Sequence, residues 1–325
     1  MHKHRDRLLQ VGVVALALAV LYGLGSIVAA KMRALGVEPG FGFLWQRAGF
    51  DIGDTRIAFS AADSYGRAFL VGLVNTLSVA MVAIVASVIL GGMIGLGQLG
   101  RNRLFAWLCE AYVEVFRNVP LLLQLLIVYV VLIGHLPLPH EAWQLGPDIW
   151  LSKSGLALPW PAWSGDGLML VRPVLGRFTF SGGAMLSPEF IAVAAALTFY
   201  TSAYIAETVR GAVQAVSHRQ TEAALALGLS ETKTLRFVVL PQALRSMIPP
   251  LANQLLNLIK NSSLAVAIGY PDLVAIADTT LNQTSHAVEC VIIIMAVYLT
   301  LSLVTAALMG GWHARLLRRQ TGVHA

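Results

Sequence analysis

Residues 209–245 read VRGAVQAVSHRQTEAALALGLSETKTLRFVVLPQALR, a polar stretch set between two strongly apolar ones. Ser217 stands where an N-cap is wanted, and the following EAALAL core (Glu222–Leu227) consists of strong helix formers. Gly228 predicts the end of that helix, because glycine takes the left-handed position after a helix at little steric cost. Ser230 is placed to cap a second helix with Lys233 one turn in, and Pro241 is expected to close it before the next apolar run. The segment therefore predicts a short helix, a glycine turn and a second helix, lying against whatever the flanking apolar stretches occupy.

Those stretches dominate the chain. Of 325 residues, 57% are hydrophobic and 12% charged, with a mean hydropathy of +0.70. A soluble domain carries roughly 25% charged residues, so lipid is the expected solvent. A membrane-spanning helix needs ~20 apolar residues. Six stretches qualify: Leu8–Ala30, Ala68–Leu99, Leu104–Gly134, Pro188–Val209, Ser246–Gly269 and Ala287–Trp312. The first follows MHKHRDR and exceeds the length of a signal-peptide core, so it reads as a retained anchor. The fold expected is all-α and polytopic. Cys109 and Cys290 lie in apolar runs and suggest neither a disulfide nor a metal site.

Charge sets the orientation. With the N-terminus inside, the inner pieces 1–10, 99–104, 209–245 and 313–325 hold 13 Lys and Arg over 66 residues. The outer pieces 31–67, 135–187 and 270–286 hold 8 over 107 residues. The inner density is more than double, which places both termini in the cytoplasm and makes 209–245 the largest inner loop. It also accounts for the net charge of +6 without nucleic acid. The outer piece 135–187 is rich in Pro, Gly and Trp, as in LPWPAWSGDG. It reads as a structured cap, with an interfacial position or an external docking surface as the functional alternatives.

Common enzyme motifs are missing. A phosphate-binding P-loop needs Gly before its Lys, and the five lysines follow His2, Ala30, Ser152, Thr232 and Ile259. His140 precedes Glu141, but position 144 is Gln, so there is no H-E-x-x-H zinc motif. No Ser sits in a G-x-S-x-G elbow. No catalytic residue and no metal ligand is expected.

EAALALGLSETKTLRFVVLP (Glu222–Pro241) resembles the E-A-A-x-x-x-G-x9-[IV]-x-L-P signature of binding-protein-dependent ABC transporter permeases. Glu222, Ala223, Ala224, Gly228, Leu240 and Pro241 fall in register, with Val238 at the Ile/Val position. GLVNTLSVA (Gly72–Ala80), FRNVPLLLQ (Phe116–Gln124), SAYIAETVRGAVQAV (Ser202–Val216) and PQALRSMIPPLANQLLNLIKNSSLAVAIG (Pro241–Gly269) are similar to the polar amino acid subgroup. Together with the 135–187 insert and the extra first span, the likeness is closest to the general L-amino acid permeases. It departs from the subgroup at Asn118 and Val119, at Arg219 and at Ser262. The resemblance implies a type I importer fold in a bacterial inner membrane and alternating access driven by ATP bound on a separate ATPase dimer. It also implies a second homologous permease subunit and a periplasmic binding protein, with no cofactor on this chain. The 217–230 helix becomes the coupling helix, with Arg219, Glu222, Ala223, Ala224, Gly228 and Leu229 as ATPase contacts.

Polar groups within the spans are candidates for a substrate passage, since polar groups in lipid usually face protein or a cavity. Glu114 and Arg117 are spaced to pair on one helix face, and Pro120 weakens the helix beside them. Asn253, Asn257 and Asn261 form a stripe with Lys260 next to it, and Asn75 and Thr76 have the same character. The competing reading for all of them is hydrogen-bonded glue between helices. Glu207 is expected near the inner surface, paired with Arg210. In domain terms, 1–65 is an anchor and outer linker, 66–312 the transport core and 313–325 an inner tail. Uptake of another small polar solute such as an opine, or gradient-driven transport, is the alternative function.

Overall fold

The computed structural model describes residues 39–321 apart from 165, 166, 177 and 178, together with scattered positions between 12 and 34. The expected first span, Leu8–Ala30, and the end of the expected tail lie largely outside the described residues. Nine helices build the described core: α1 (Tyr65–Gly97), α2 (Arg103–Asn118), α3 (Leu121–His135), α4 (Pro188–Gln214), α5 (His218–Ala226), α6 (Glu231–Thr234), α7 (Leu240–Asn261), α8 (Leu273–Thr284) and α9 (Ala287–Thr321). Three of them, α1, α4 and the Ala287–Arg315 part of α9, are long and apolar enough to cross a bilayer unbroken.

The most extensive helix contact joins α1 to α4. It is allowed by glycine. A Cβ at Gly91 would sit 2.7 Å from the Ser202 carbonyl oxygen, and one at Gly95 only 2.6 Å from that of Ala206. Gly91 and Gly95 are four apart, the small-xxx-small spacing that lets two membrane helices touch along their backbones.

One expected span is broken, and one expected loop is a helix. Leu104–Gly134 is not one helix: α2 and α3 meet at 106°. Pro120 lacks an N–H and pushes Val119 into an extended conformation (φ −91°, ψ 129°), so the helix cannot run through. The Gln124 side chain repairs the break by donating to the Phe116 and Val119 carbonyls, both at 2.8 Å. The segment 270–286, expected as an outer loop, is largely the helix α8, set at 52° to the span before it. Asp272 caps it, accepting from the Ala275 N–H at 2.8 Å.

Pro241 does not end the second inner helix. Glu231–Asn261 runs continuously because Leu235–Val239 forms a π-helical turn immediately before α7. A widened turn relieves the clash that a proline ring makes with the preceding turn. The last helix, expected to end at Trp312, runs on to Thr321.

Residues 39–64 are packed onto the end of the core formed by the start of α1 and by α8. Phe43 is buried against Tyr65, Leu273 and Ile276, and its ring stacks on His286 with centroids 4.5 Å apart. The 135–187 piece is largely β-structured, where the sequence reading expected an all-α fold, and it holds the eight strands of the described residues. β1 (Trp143–Gly146), β2 (Ile149–Ser152), β3 (Gly155–Leu158) and β8 (Ala184–Leu186) form an antiparallel sheet in that order. β4 (Trp160–Ser164) with β5 (Gly167–Val171), and β6 (Val174–Leu175) with β7 (Phe180–Ser181), are separate hairpins. β3–β8 pairing returns the chain to Ser187, whose side chain caps α4.

Candidate coupling and translocation sites

The 209–245 loop folds as a helix, a glycine turn and a helix. α5 ends in a Schellman motif: the Leu229 N–H reaches the Ala224 carbonyl (3.1 Å), the Gly228 N–H reaches that of Leu225 (2.9 Å), and Gly228 has φ +82°. Ser217 and Ser230 occupy the N-cap positions, but neither side chain makes the capping hydrogen bond. Ala224 is the buried member of α5, and α5 packs against α6 and the π turn. Arg219, Glu222, Ala223 and Gly228 are exposed, and Leu229 is half-buried. Glu222 has a local partner that spacing alone left unremarked, His218 Nδ1 at 3.1 Å. Leu227 is 84% exposed, and Phe237 also stands clear of the fold. Large apolar side chains on a loop between membrane segments mark a surface made to be covered. Arg101, in the turn between α1 and α2, pairs with Glu231 at 2.6 Å, which puts that turn on the same side as the α5 loop.

Within the spans, α4 and α7 enclose a cavity of about 270 Å³ lined by Tyr200, Thr201, Tyr204, Gln254, Asn257 and Asn261. The Tyr200 and Tyr204 hydroxyls are 3.3 Å apart, and the Arg117 guanidinium lies 5.3 Å from the centre of the Tyr204 ring. Every polar group on this wall is a hydroxyl or an amide, with one cation behind an aromatic face.

The sequence candidates divide. Asn257 and Asn261 line the cavity, with Arg117 just behind it. Asn253 and Lys260 are exposed and do not line it. Glu114 does not pair with Arg117; it accepts from Asn118 Nδ2 at 3.1 Å, while Arg117 turns to Tyr204. Glu207 and Arg210 do pair, through two hydrogen bonds of 2.5 and 3.1 Å. Asn75 and Thr76 are completely buried at the α7–α8 joint. Asn75 Nδ2 donates to the carbonyls of Asp54 (2.8 Å) and Pro271 (2.9 Å), and Thr76 Oγ1 accepts from the Leu273 N–H at 3.1 Å. Asn75→Leu should therefore lower stability by about 1–3 kcal/mol, since two buried carbonyls lose their donor. A melting curve of the solubilised chain would show it, and a change within error would mean that these bonds hold nothing in place.

Tyr200, Tyr204 and Gln254 were not singled out from sequence. The signal was spacing: Tyr200 and Tyr204 share a helix face, as do Gln254, Asn257 and Asn261. A three- and a four-residue step keep Gln254, Asn257 and Asn261 within ~60° of one another, whereas two successive four-residue steps carry Asn253 ~80° from Asn261.

Broken and unbroken spans around a polar cavity, with an exposed helical loop on one side, define a membrane-embedded transport subunit. The family described as binding-protein-dependent transport system inner membrane component matches residues 83–319, and the chain belongs to it. It is the permease subunit of an ATP-driven importer, an inner-membrane component rather than an enzyme. The chain is 38% identical to the general L-amino acid transport system permease protein AapQ of Rhizobium johnstonii, over 97% of this chain and 92% of that one. It is 35% identical to the glutamate/glutamine/aspartate/asparagine transport system permease protein BztB of Rhodobacter capsulatus, over 94% and 92%. Among solved structures, an amino acid ABC transporter crystallised with histidines superposes with a TM-score of 0.58 at 28% identity, over 77% of this chain and 95% of that one.

Proposed function

We propose that the protein carries amino acids across the bacterial inner membrane, with ATP bound and hydrolysed on a separate ATPase dimer that docks on α5. The observation that carries this reading is the exposed, glycine-closed α5 loop with Leu227 and Phe237 uncovered. A second homologous permease subunit completes the passage, and a periplasmic binding protein delivers the solute to the outer face. Both termini are cytoplasmic, an orientation supported by the density of Lys and Arg in the inner pieces. Residues 66–312 act as the transport core, and this chain needs no cofactor of its own.

The cavity between α4 and α7 serves as the passage. A zwitterion's ammonium group requires acceptors and its carboxylate requires donors, and tyrosine hydroxyls with Asn and Gln amides supply both. A lining without formal charge suits several amino acids rather than one. The deciding measurement is uptake of labelled amino acids into vesicles holding this chain, its partner subunits and a binding protein, with and without ATP. Asn257→Leu should cut ATP-dependent uptake of neutral amino acids by ~5–30-fold, the equivalent of one or two hydrogen bonds, while ATPase association is retained. Uptake that proceeds without ATP would overturn the importer reading. Unchanged uptake in Asn257→Leu would move the passage elsewhere.

A further inference from the structure

The β4–β5 hairpin is apolar on both faces. Its register places Trp160, Ala162, Met169 and Val171 on one side and Pro161, Trp163 and Leu170 on the other, and all of these are exposed, Trp163 by 82%. Beyond pairing with each other, the two strands have no substantial packing on another element among the described residues. From Trp160 to Val171 the sequence holds a single charged residue, Asp166. A water-facing hairpin of this length would be expected to alternate apolar and polar positions.

Its height relative to the bilayer can be read from α1. Apart from Leu70 near its start, the large exposed apolar residues on that helix run from Met81 through Val82, Val85, Val88, Ile89 and Met93 to Leu96, the zone that faces lipid. Ser78 lies ~20 Å along α1 from Tyr65, and Ser78–Gly97 spans ~30 Å, the thickness of a hydrocarbon core. Trp160 lines the same cleft as Ser78 and Val82, a cavity of about 910 Å³ that also includes Arg56 and Phe190. The root of the hairpin therefore sits at the outer edge of the lipid-facing zone and continues it.

We infer that the β4–β5 hairpin is immersed in the outer-leaflet interface, with lipid on both of its faces. A protein partner would cover one face and leave the other in water, whereas lipid covers both. Two open strand edges exclude the hydrocarbon core, where unpaired backbone groups are not tolerated, but the headgroup level is wet enough to satisfy them. Tryptophan favours this level. The outer-leaflet placement rests on the proposed orientation of the chain and not on which solute is carried.

The test uses single cysteines at Trp163 and Met169, one on each face, carrying an environment-sensitive nitrobenzoxadiazole label. Cys109 and Cys290 are buried, so the unaltered chain serves as the labelling blank. Lys153→Cys, on the exposed turn between β2 and β3, is the water-facing control. The permease is reconstituted with its partner subunits in vesicles of ordinary lipid or of lipid brominated near the headgroup end of the chains. Both hairpin labels should be quenched several-fold more by brominated lipid than by aqueous iodide, with the reverse at position 153. Iodide quenching at both hairpin positions would place the hairpin in water and overturn the inference. Lipid quenching at only one position, or protection from both quenchers, would show that protein covers it and would overturn it equally.

Discussion

Gly95→Val should prevent α1 from closing on α4, and the chain should lose its thermal transition or precipitate on extraction. A Cβ at that position meets the Ala206 carbonyl oxygen at 2.6 Å and Val209 Cβ at 2.7 Å. A backbone oxygen cannot rotate out of the way as a side chain can, so the helices must separate. Overpacking ordinarily costs about 1–3 kcal/mol, and here it falls on the largest helix contact in the fold. Gly91→Val should act in the same way, against Ser202 and Ile205. Gly92 is the internal control: a Cβ there has nothing within 4 Å, so Gly92→Val should melt like the unaltered chain. Equal effects at 92 and 95 would mean that helix propensity, and not close approach, sets the outcome. The readout is aggregation temperature by size exclusion of the solubilised protein.

The second large effect is expected at the α5 loop. Gly228 has φ +82°, a conformation that costs an L-residue roughly 1–2 kcal/mol. Gly228→Trp should reorient α5, add bulk to the surface proposed to enter the ATPase and abolish ATP-driven uptake. Membrane insertion should be unchanged, because a Cβ at Gly228 has nothing within 4 Å. Asn tolerates the left-handed region, so Gly228→Asn should retain much of the activity. Glu222→Arg breaks the link to His218 and sets a third basic group beside Arg219, and it should weaken co-purification with the ATPase. Uptake assayed beside co-purification separates coupling from assembly. If Gly228→Trp transported normally, α5 would not be the coupling element.

The α5 turn was legible because its cause is local. Glycine after a helix and small residues along one side need no distant partner to be interpreted. The spans were legible in the same way, since hydropathy over ~20 residues is a property of the segment alone. The break at Pro120 was visible as a weakness, but its 106° angle required Gln124 to reach back to two carbonyls eight and five residues away. The insert's strands were hidden by their shortness and by hairpins whose faces do not alternate.

The polar residues of the spans mark the boundary. Composition and order along the chain determined that this is a polytopic helical protein, the motif at Glu222–Pro241 tied it to the permease family, and Gly228 was legible as the glycine that closes α5. Only the tertiary structure decided what each intramembrane polar side chain faces. Asn75 and Asn257 look alike in sequence, each an amide on an apolar helix. Asn75 is locked onto the carbonyls of Asp54 and Pro271, whereas Asn257 lines a cavity. The difference depends on which backbone comes within hydrogen-bond distance, and that follows from how α1, α4, α7 and α8 pack, through contacts between residues as far as 218 apart in the chain.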